Sequence, residues 1–474
     1  MKICTKDISA LFELALISII FLSIIAVMTL DSLGFIFLFV FFLFVLVTSL
    51  FKIEMKHDLS VALSIPIMLS AFQNMGLGLF AKQLSNTAVQ FLTILNFLYA
   101  TIICCLLFLQ GGGSPLKQGI QVKKIWKYFL CIFIYSGFSV VLLSHVNVFS
   151  IASSFRNIVA MFLFFFLGYL ASKNVNSARL ERLFLFLGIG VILIGFIEIL
   201  FYKSMWLDLN ITELWNKKGI RLKDSGVPTN FYSSETINGE RIRRMASSFA
   251  DPVNLGAFLF VVFGLAWFRK SYFLLILSVL AMILTVSKGA ILGVLIFFVC
   301  YAYFYMSRAF FISACSFSAI TGIGFLLYAM KTSAASVFLH ISGLLAAFRG
   351  LPAHPLGHGI GSNGVLAKQF SKLSADMDVT ETGLGMIISQ LGIVGLISYM
   401  AFFICCGKMC SRIENVREKT LTMTFLFSIV ANMFFNEVAL SPNSCAAYFI
   451  IIGCYVGKNN YKEKMLCATQ SSFC

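Results

Sequence analysis

Long apolar runs follow one another along this chain, separated mostly by short polar connections and twice by long ones. A helix needs roughly 20 apolar residues to cross a bilayer core. By that rule the runs predict about 14 transmembrane helices, beginning near residues 11, 33, 60, 88, 127, 151, 182, 252, 271, 289, 309, 380, 420 and 443. The first run, about Leu11 to Leu30, is too long for a signal-peptide core. No small-x-small cleavage site follows it in Asp31-Ser32-Leu33-Gly34, so it is expected to remain as a span. The expected organisation is N-terminal spans over 1–202, a large outer loop over 203–250, spans over 251–330, a second large outer loop over 331–379, and C-terminal spans with a tail over 380–474.

The connections carry a charge signature. With the N-terminus in the cytoplasm, the inward connections hold Lys52/Lys56, Lys117 to Lys127, Lys173/Arg179/Arg182, Arg269/Lys270, Arg308 and Lys408 to Lys419, and the tail adds Lys458, Lys462 and Lys464. The short outward ones hold little that is basic: Lys82, His145 and Lys288. This positive-inside bias puts both termini in the cytoplasm and both long loops outside, four spans apart.

Composition agrees. Of 474 residues, 59% are hydrophobic and 12% charged, against about 25% charged in a typical soluble domain. Lipid must therefore be the solvent for much of the chain, and the fold class expected is an all-α, polytopic integral membrane protein. The net charge of +16 sits mostly in connections, where it serves topology and contact with anionic lipid; no nucleic-acid motif accompanies it. Most of the 13 cysteines lie in apolar runs and neither long loop has one, which argues against a disulfide framework or a zinc site. No metal or other cofactor is expected.

Candidate chemistry gathers on the outer side. The first loop carries eight basic residues, ending in Arg241, Arg243 and Arg244 just before Asp251-Pro252. Arginine forks suit phosphate, and Asp251 is either the N-cap of the next helix or a catalytic carboxylate. The second loop contains Arg349, His354 and His358 within a Gly/Pro-rich stretch, read either as an ordinary turn or as backbone amides turned toward an anion. Glu381 follows, favouring its helix N-terminus or facing His358. Arg156, Glu198 and Lys288 lie within apolar runs close to their outer ends, and ionisable residues in such runs cost about 2.5–3.5 kcal/mol at mid-bilayer.

Three pieces in order carry a resemblance: Arg244-Met245-Ala246-Ser247-Ser248-Phe249 with Asp251-Pro252; Thr285-Val286-Ser287-Lys288-Gly289-Ala290; and His354-Pro355-Leu356-Gly357-His358-Gly359-Ile360-Gly361 followed by Glu381-Thr382-Gly383. Over about residues 240–400 the chain resembles the O-antigen polymerase and O-antigen ligase superfamily, the Wzy and WaaL type; the N-terminal half matches only in hydropathy. The resemblance implies a GT-C-like membrane glycosyltransferase in the bacterial inner membrane. Its active site would be periplasmic and metal-independent. Its substrate would be an undecaprenyl-diphosphate-linked oligosaccharide, with a chain-length regulator as a further partner. It points to Arg244, Arg349 and His358, with Arg156 as a membrane-level arginine. Two departures stand out. Ser287-Lys288-Gly289 replaces the family's usual Ser-Arg-Gly, and where some polymerases have Arg, ten intervening residues and then Gly, the count from Arg349 falls on Ile360, with glycines on either side.

The expected reaction is attack of an acceptor sugar hydroxyl on the anomeric carbon of the lipid-diphosphate glycan. Arg244, Arg156 and Lys288 would stabilise the leaving diphosphate. Arg241, Arg243, Arg349 and His354 are further substrate-binding candidates. His358, Glu381 or Asp251 would take the hydroxyl proton. The competing readings are an O-antigen ligase, which uses a lipid A–core acceptor, and a polysaccharide or lipid transporter or flippase without catalysis.

Overall fold

The structure is a computed structural model that describes residues 57–110, 120–142, 146–219, 226–237, 240–332, 334–365 and 380–471, with 13, 17, 48 and 49 besides. Its helices are α1 (Ser60–Leu79), α2 (Asn86–Thr93), α3 (Leu95–Gln110), α4 (Ile120–Leu142), α5 (Val148–Ala171) and α6 (Ser177–Phe196), which runs on into a π turn (Ile197–Phe201). There follow α7 (Met205–Asp208), α8 (Ile211–Lys217), α9 (Pro252–Phe268), α10 (Tyr272–Thr285), α11 (Lys288–Tyr305), α12 (Arg308–Thr332), α13 (Ala334–Gly350), α14 (Gly383–Ser411), α15 (Val416–Met433) and α16 (Pro442–Ser471). The one sheet among the described residues is a hairpin, β1 (Tyr232–Ile237) and β2 (Glu240–Arg243), which pairs Thr236 with Arg241.

Side-chain caps fix many of the starts. Asn147, Asn176, Thr382 and Asn415 each accept an amide of the first turn of α5, α6, α14 and α15, while Asp251 accepts two for α9, with Pro252 at the first position. Each cap satisfies an N–H that the helix cannot.

Among the described residues, seven helices are long and apolar enough to cross a membrane, or eight if the pair α2 and α3, bent by 46°, is one span. They begin at 60, 86, 120, 148, 177, 288, 308 and 383, close to the expected starts near 60, 88, 151, 289, 309 and 380 and earlier than those near 127 and 182. At 252 and 271 the structure has shorter apolar helices, α9 and α10. At 420 and 443 it has α15 and α16, of 18 and 30 residues. The expected spans near 11 and 33 lie almost wholly outside the described residues. Part of the second expected loop is helical: α13 occupies 334–350, because its Ala- and Leu-rich stretch favours helix at a length too short to read as a span.

α16 lies at the centre, against α5. A Cβ on Gly168 would meet the Ile450 carbonyl at 2.3 Å, and one on Gly453 the Phe165 carbonyl at 2.3 Å. The two backbones thus touch along a seam of small residues, the close packing that membrane helices favour. Buried Tyr448 donates to the Ala257 carbonyl at 2.9 Å and ties α16 to α9.

One end of the bundle is an ionic knot. Buried Glu181 accepts from Arg269 Nε at 2.6 Å, from Arg417 Nη2 at 2.5 Å, and from the Tyr455 hydroxyl. Asp58 pairs with Arg179 at 2.9 Å and accepts the Asn176 amide at 3.1 Å. Arg179, Arg269 and Arg417 come from three connections expected on one side, and they meet at that end. Glu198, near the opposite end of the same α6 rod, organises the other end.

Candidate active site

The segment Arg243–Asp251 is laid out by a single buried acid. Glu198 Oε1 accepts from Arg243 at 3.0 Å, and its Oε2 accepts the amides of Ala246 at 2.9 Å and Ser247 at 2.6 Å. Ser247 sits at φ 47° and Ala250 at φ 55°, a left-handed conformation that costs side-chain-bearing residues energy. Three hydrogen bonds to Glu198 and one from Ser247 Oγ to the Val191 carbonyl, at 2.6 Å, hold the turn. Upstream, the Arg244 amide donates to Phe231 O and the Met245 amide to Leu284 O, both at 2.8 Å.

Beyond this turn the charge of Arg244 bears on Asp251, and Asp251 and Arg156 both bear on Lys218. Arg244 Nε donates to the Thr285 carbonyl at 2.8 Å and its Nη1 to the Asn230 carbonyl at 3.3 Å. Asp251 Oδ1 caps α9, and its Oδ2 accepts from Asn230 Nδ2 at 3.3 Å. Burial raises the Asp251 carboxyl above its ordinary pKa, against its amide donors and the Arg244 charge. Lys218, just past α8, places its ammonium 2.5 Å from Asn74 Oδ1, and the charges of Arg156 and Asp251 both bear on it. Four buried polar atoms around this point have no hydrogen-bond partner among the described residues: Arg156 Nε, Asn230 Oδ1, Ser248 Oγ and Asn254 Oδ1. Such unspent atoms are scarce in native interiors.

A second element lies across α5. The loop 354–364 plugs a break in α14, where Gly392 has φ 58° and ψ −142°. The His358 amide donates to Ser389 O at 2.8 Å, the Gly359 amide to Gln390 O at 3.1 Å, and the Ile393 amide to Pro355 O at 2.9 Å. The Gly361 amide donates to Gln390 Oε1 at 3.0 Å, and Ser150 Oγ donates to the Gly361 carbonyl at 2.8 Å. The amides of Gly357, His358, Gly359 and Gly361 are therefore committed within the protein. Of the two readings of the Gly-rich stretch this favours the turn over the anion cradle: the glycines fit the loop against α14 and α5. The loop walls a cavity of about 260 Å³ lined by His354, His358, Asn363, Thr380 and Ser389. The two imidazoles lie 4.2 Å apart, and burial together with His354 lowers the His358 pKa. Gln390 Nε2 joins the cavity to α5, donating to Asn363 O at 2.5 Å and Ser154 Oγ at 3.4 Å. Arg156 is two residues further along that helix.

The expected residues thus divide. Arg156, Arg244 and Asp251 belong to one cationic cluster, and His354 and His358 to one cavity. Arg243 is near the cluster but paired to Glu198. Lys288 begins α11 with its ammonium 5.8 Å from the Phe325 ring centroid. Arg241 is exposed on β2, and Arg349 is exposed at the end of α13 with no hydrogen bond or ion pair among the described residues. Glu381 does not face His358: its carboxylate lies 3.6 Å from His340 Nδ1, because Thr382, not Glu381, caps α14 and the acid turns toward α13. The sequence reading missed Lys218, Asn74 and Gln390, whose polar ends are recognisable only once α1, α8 and α14 are packed.

The fold and this cluster describe an almost all-helical bundle of membrane-type helices with cations about a buried carboxylate at one end. No protein-family model matches the chain, and no curated protein matches it significantly.

Proposed function

We propose that the protein is a polytopic glycosyltransferase of the bacterial inner membrane, oriented with the Glu181 end in the cytoplasm. It joins oligosaccharide repeat units carried on undecaprenyl diphosphate at the periplasmic face, as an O-antigen polymerase does. The observation that carries this is the grouping of Arg244 and Lys218 about one carboxylate, with Arg156 beside Lys218, at the helix ends opposite the ionic knot. A diphosphate leaving group develops negative charge on its oxygens, and donors already in place stabilise it without reorganising.

In this reading the acceptor hydroxyl attacks the anomeric carbon, a new C–O bond forms, and the bond to the diphosphate breaks with its electron pair going to the phosphate oxygen. The hydroxyl proton passes to His358, which burial and His354 keep neutral at pH 7. Asp251 orients the Arg244 end of the cluster. The lipid chain enters between helices, so the chemistry sits at the membrane boundary.

The test is deletion of the gene in its host, with add-back of wild type or Arg244→Ala and a gel of the surface lipopolysaccharide. Core bearing a single repeat unit, restored to a ladder only by wild type, supports the polymerase. Bare core with long chains left on the carrier lipid makes the protein a ligase. An unchanged ladder removes this glycan as the substrate.

A further inference from the structure

We propose that Lys218 is a ligand-binding cation of the diphosphate site that takes up a proton from solvent as the diphosphate enters. This rests on the glycosyl-diphosphate reading and adds to it a residue and a proton.

The placement of Lys218 is specific. Asn74 on α1 is buried; its amide nitrogen donates to the Phe249 carbonyl at 2.5 Å, which turns its oxygen toward Lys218 Nζ, also at 2.5 Å. The Trp215 ring stands 4.5 Å from the ammonium. No carboxylate lies at ion-pair distance from it among the described residues. The neighbouring Lys217 is used differently: it donates to the carbonyls of Ala81 and Leu84 at 2.7 and 2.6 Å, closing the turn after α1, and pairs with Glu213. Of two adjacent lysines, one closes a turn and the other is held by a buried amide oxygen, within reach of the charges of Arg156 and Asp251.

Among the described residues the charges around Lys218 are few. Of the helices against α8, α1 and α2 carry no ionisable side chain, and α7 carries only Asp208, which is exposed and bonded to Ser204. What remains is Arg156, which disfavours a second positive charge, and Asp251, which favours it. Burial and Arg156 outweigh Asp251 and push the Lys218 pKa down to about 7. In the empty site the group therefore holds its proton only part of the time at neutral pH. A diphosphate diester brings two negative charges beside it, cancels the repulsion from Arg156 and makes the protonated form the stable one. By linkage, a group whose pKa rises on binding favours binding fully below its free value and progressively less above it.

The probe is a short polyprenyl diphosphate bearing one N-acetylhexosamine, in which both phosphates are esterified and neither titrates near neutrality. Binding to the full chain in lipid nanodiscs is measured by calorimetry at pH 6 and pH 8, in buffers of different ionisation heat. Wild type is expected to take up little proton at pH 6 and close to one at pH 8, with affinity falling by up to about tenfold per pH unit above 7. Lys218→Met should bind more weakly at pH 6 and lose the proton uptake; Lys218→Arg should bind without uptake. The wild-type buffer comparison stands alone if a variant fails to fold. If wild type binds, Arg244→Ala weakens binding, and Lys218→Met keeps the full uptake, or if wild type shows no uptake at all, the role of Lys218 is overturned while the diphosphate reading survives. If wild type fails to bind the probe at either pH, the diphosphate reading fails and takes this inference with it.

Discussion

The Glu198 carboxylate holds the Arg243 guanidinium at 3.0 Å with one oxygen and fastens the Ala246 and Ser247 amides with the other. A single buried acid near the end of α6 therefore neutralises one arginine of the adjacent pair and leaves its neighbour, Arg244, to the site. Breaking a buried pair by removing one partner costs about 3–5 kcal/mol, and here two amides are orphaned as well. Glu198→Ala should lower the thermal unfolding midpoint in detergent by several degrees and abolish activity. Glu198→Gln, which keeps an acceptor oxygen, should lose clearly less stability. Equal midpoints for Glu198→Ala and wild type would show that the turn is held by other contacts.

Arg244 spends two donors in different directions, Nε on Thr285 and Nη1 on Asn230. A lysine keeps the charge but cannot make both bonds from one planar group. On the proposed glycosyltransferase reading, Arg244→Lys is expected to fold and to retain a small fraction of polymer formation, roughly a hundredth, at about 2.7 kcal/mol of lost transition-state stabilisation. Radiolabelled repeat-unit incorporation by isolated membranes measures it; full activity in the lysine variant would reduce Arg244 to a bare charge.

The acid side of the pH profile should report His358. Burial and the charge of His354 both lower its pKa below the usual imidazole value, so the neutral, proton-accepting form prevails at neutral pH and is lost as pH falls through that lowered pKa. His354→Ala removes one of the two depressing causes. Its acid limb should shift to higher pH, and at pH 6 the variant should retain less of its own plateau rate than wild type does. A limb that stays put or moves down would remove His358 as the base.

Gly392 lies at φ 58°, and a Cβ there would come within 2.1 Å of the Pro355 carbonyl. Gly392→Ala must therefore push the loop out or straighten the helix, and strain of this kind costs about 1–3 kcal/mol before the clash is counted. Proteolysis of the loop 354–364 should accelerate in the variant, with activity lost. Unaltered cleavage would mean that the loop is held elsewhere.

Much of the helical layout was legible because long apolar runs announce themselves by length, as in α1, α5, α6 and α14, and the arginines now knotted at Glu181 stood out as basic connections expected on one side. The cationic cluster was half legible. Arg244 and Asp251 stand out beside Pro252, and Arg156 is conspicuous inside an apolar run. Lys218 is one of eight basic residues in its loop, and only the packing of Asn74 separates it from Lys217. The loop 354–364 was read for its histidines, which do share a cavity. Its glycines suggested an anion cradle, yet the same composition serves equally to let a chain lie against an interrupted helix, and spacing alone does not distinguish the two. Glu381 and His340 are far apart in sequence and become neighbours only when α13 folds back on α14.

The break in α14 has a consequence for how the protein is made. Around Gly392 the helix cannot satisfy Ser389 O, Gln390 O or Ile393 N by itself, and all three are met by backbone from Pro355 to Gly359. Hydrocarbon offers no substitute partner. During synthesis α14 enters the bilayer after this loop has been translated, and it takes its kinked shape only when the loop docks into it. Completion of the span and closure of the histidine cavity are then one event, so a chain whose cavity is unformed also carries an unfinished membrane segment, the kind of defect that quality-control proteases recognise.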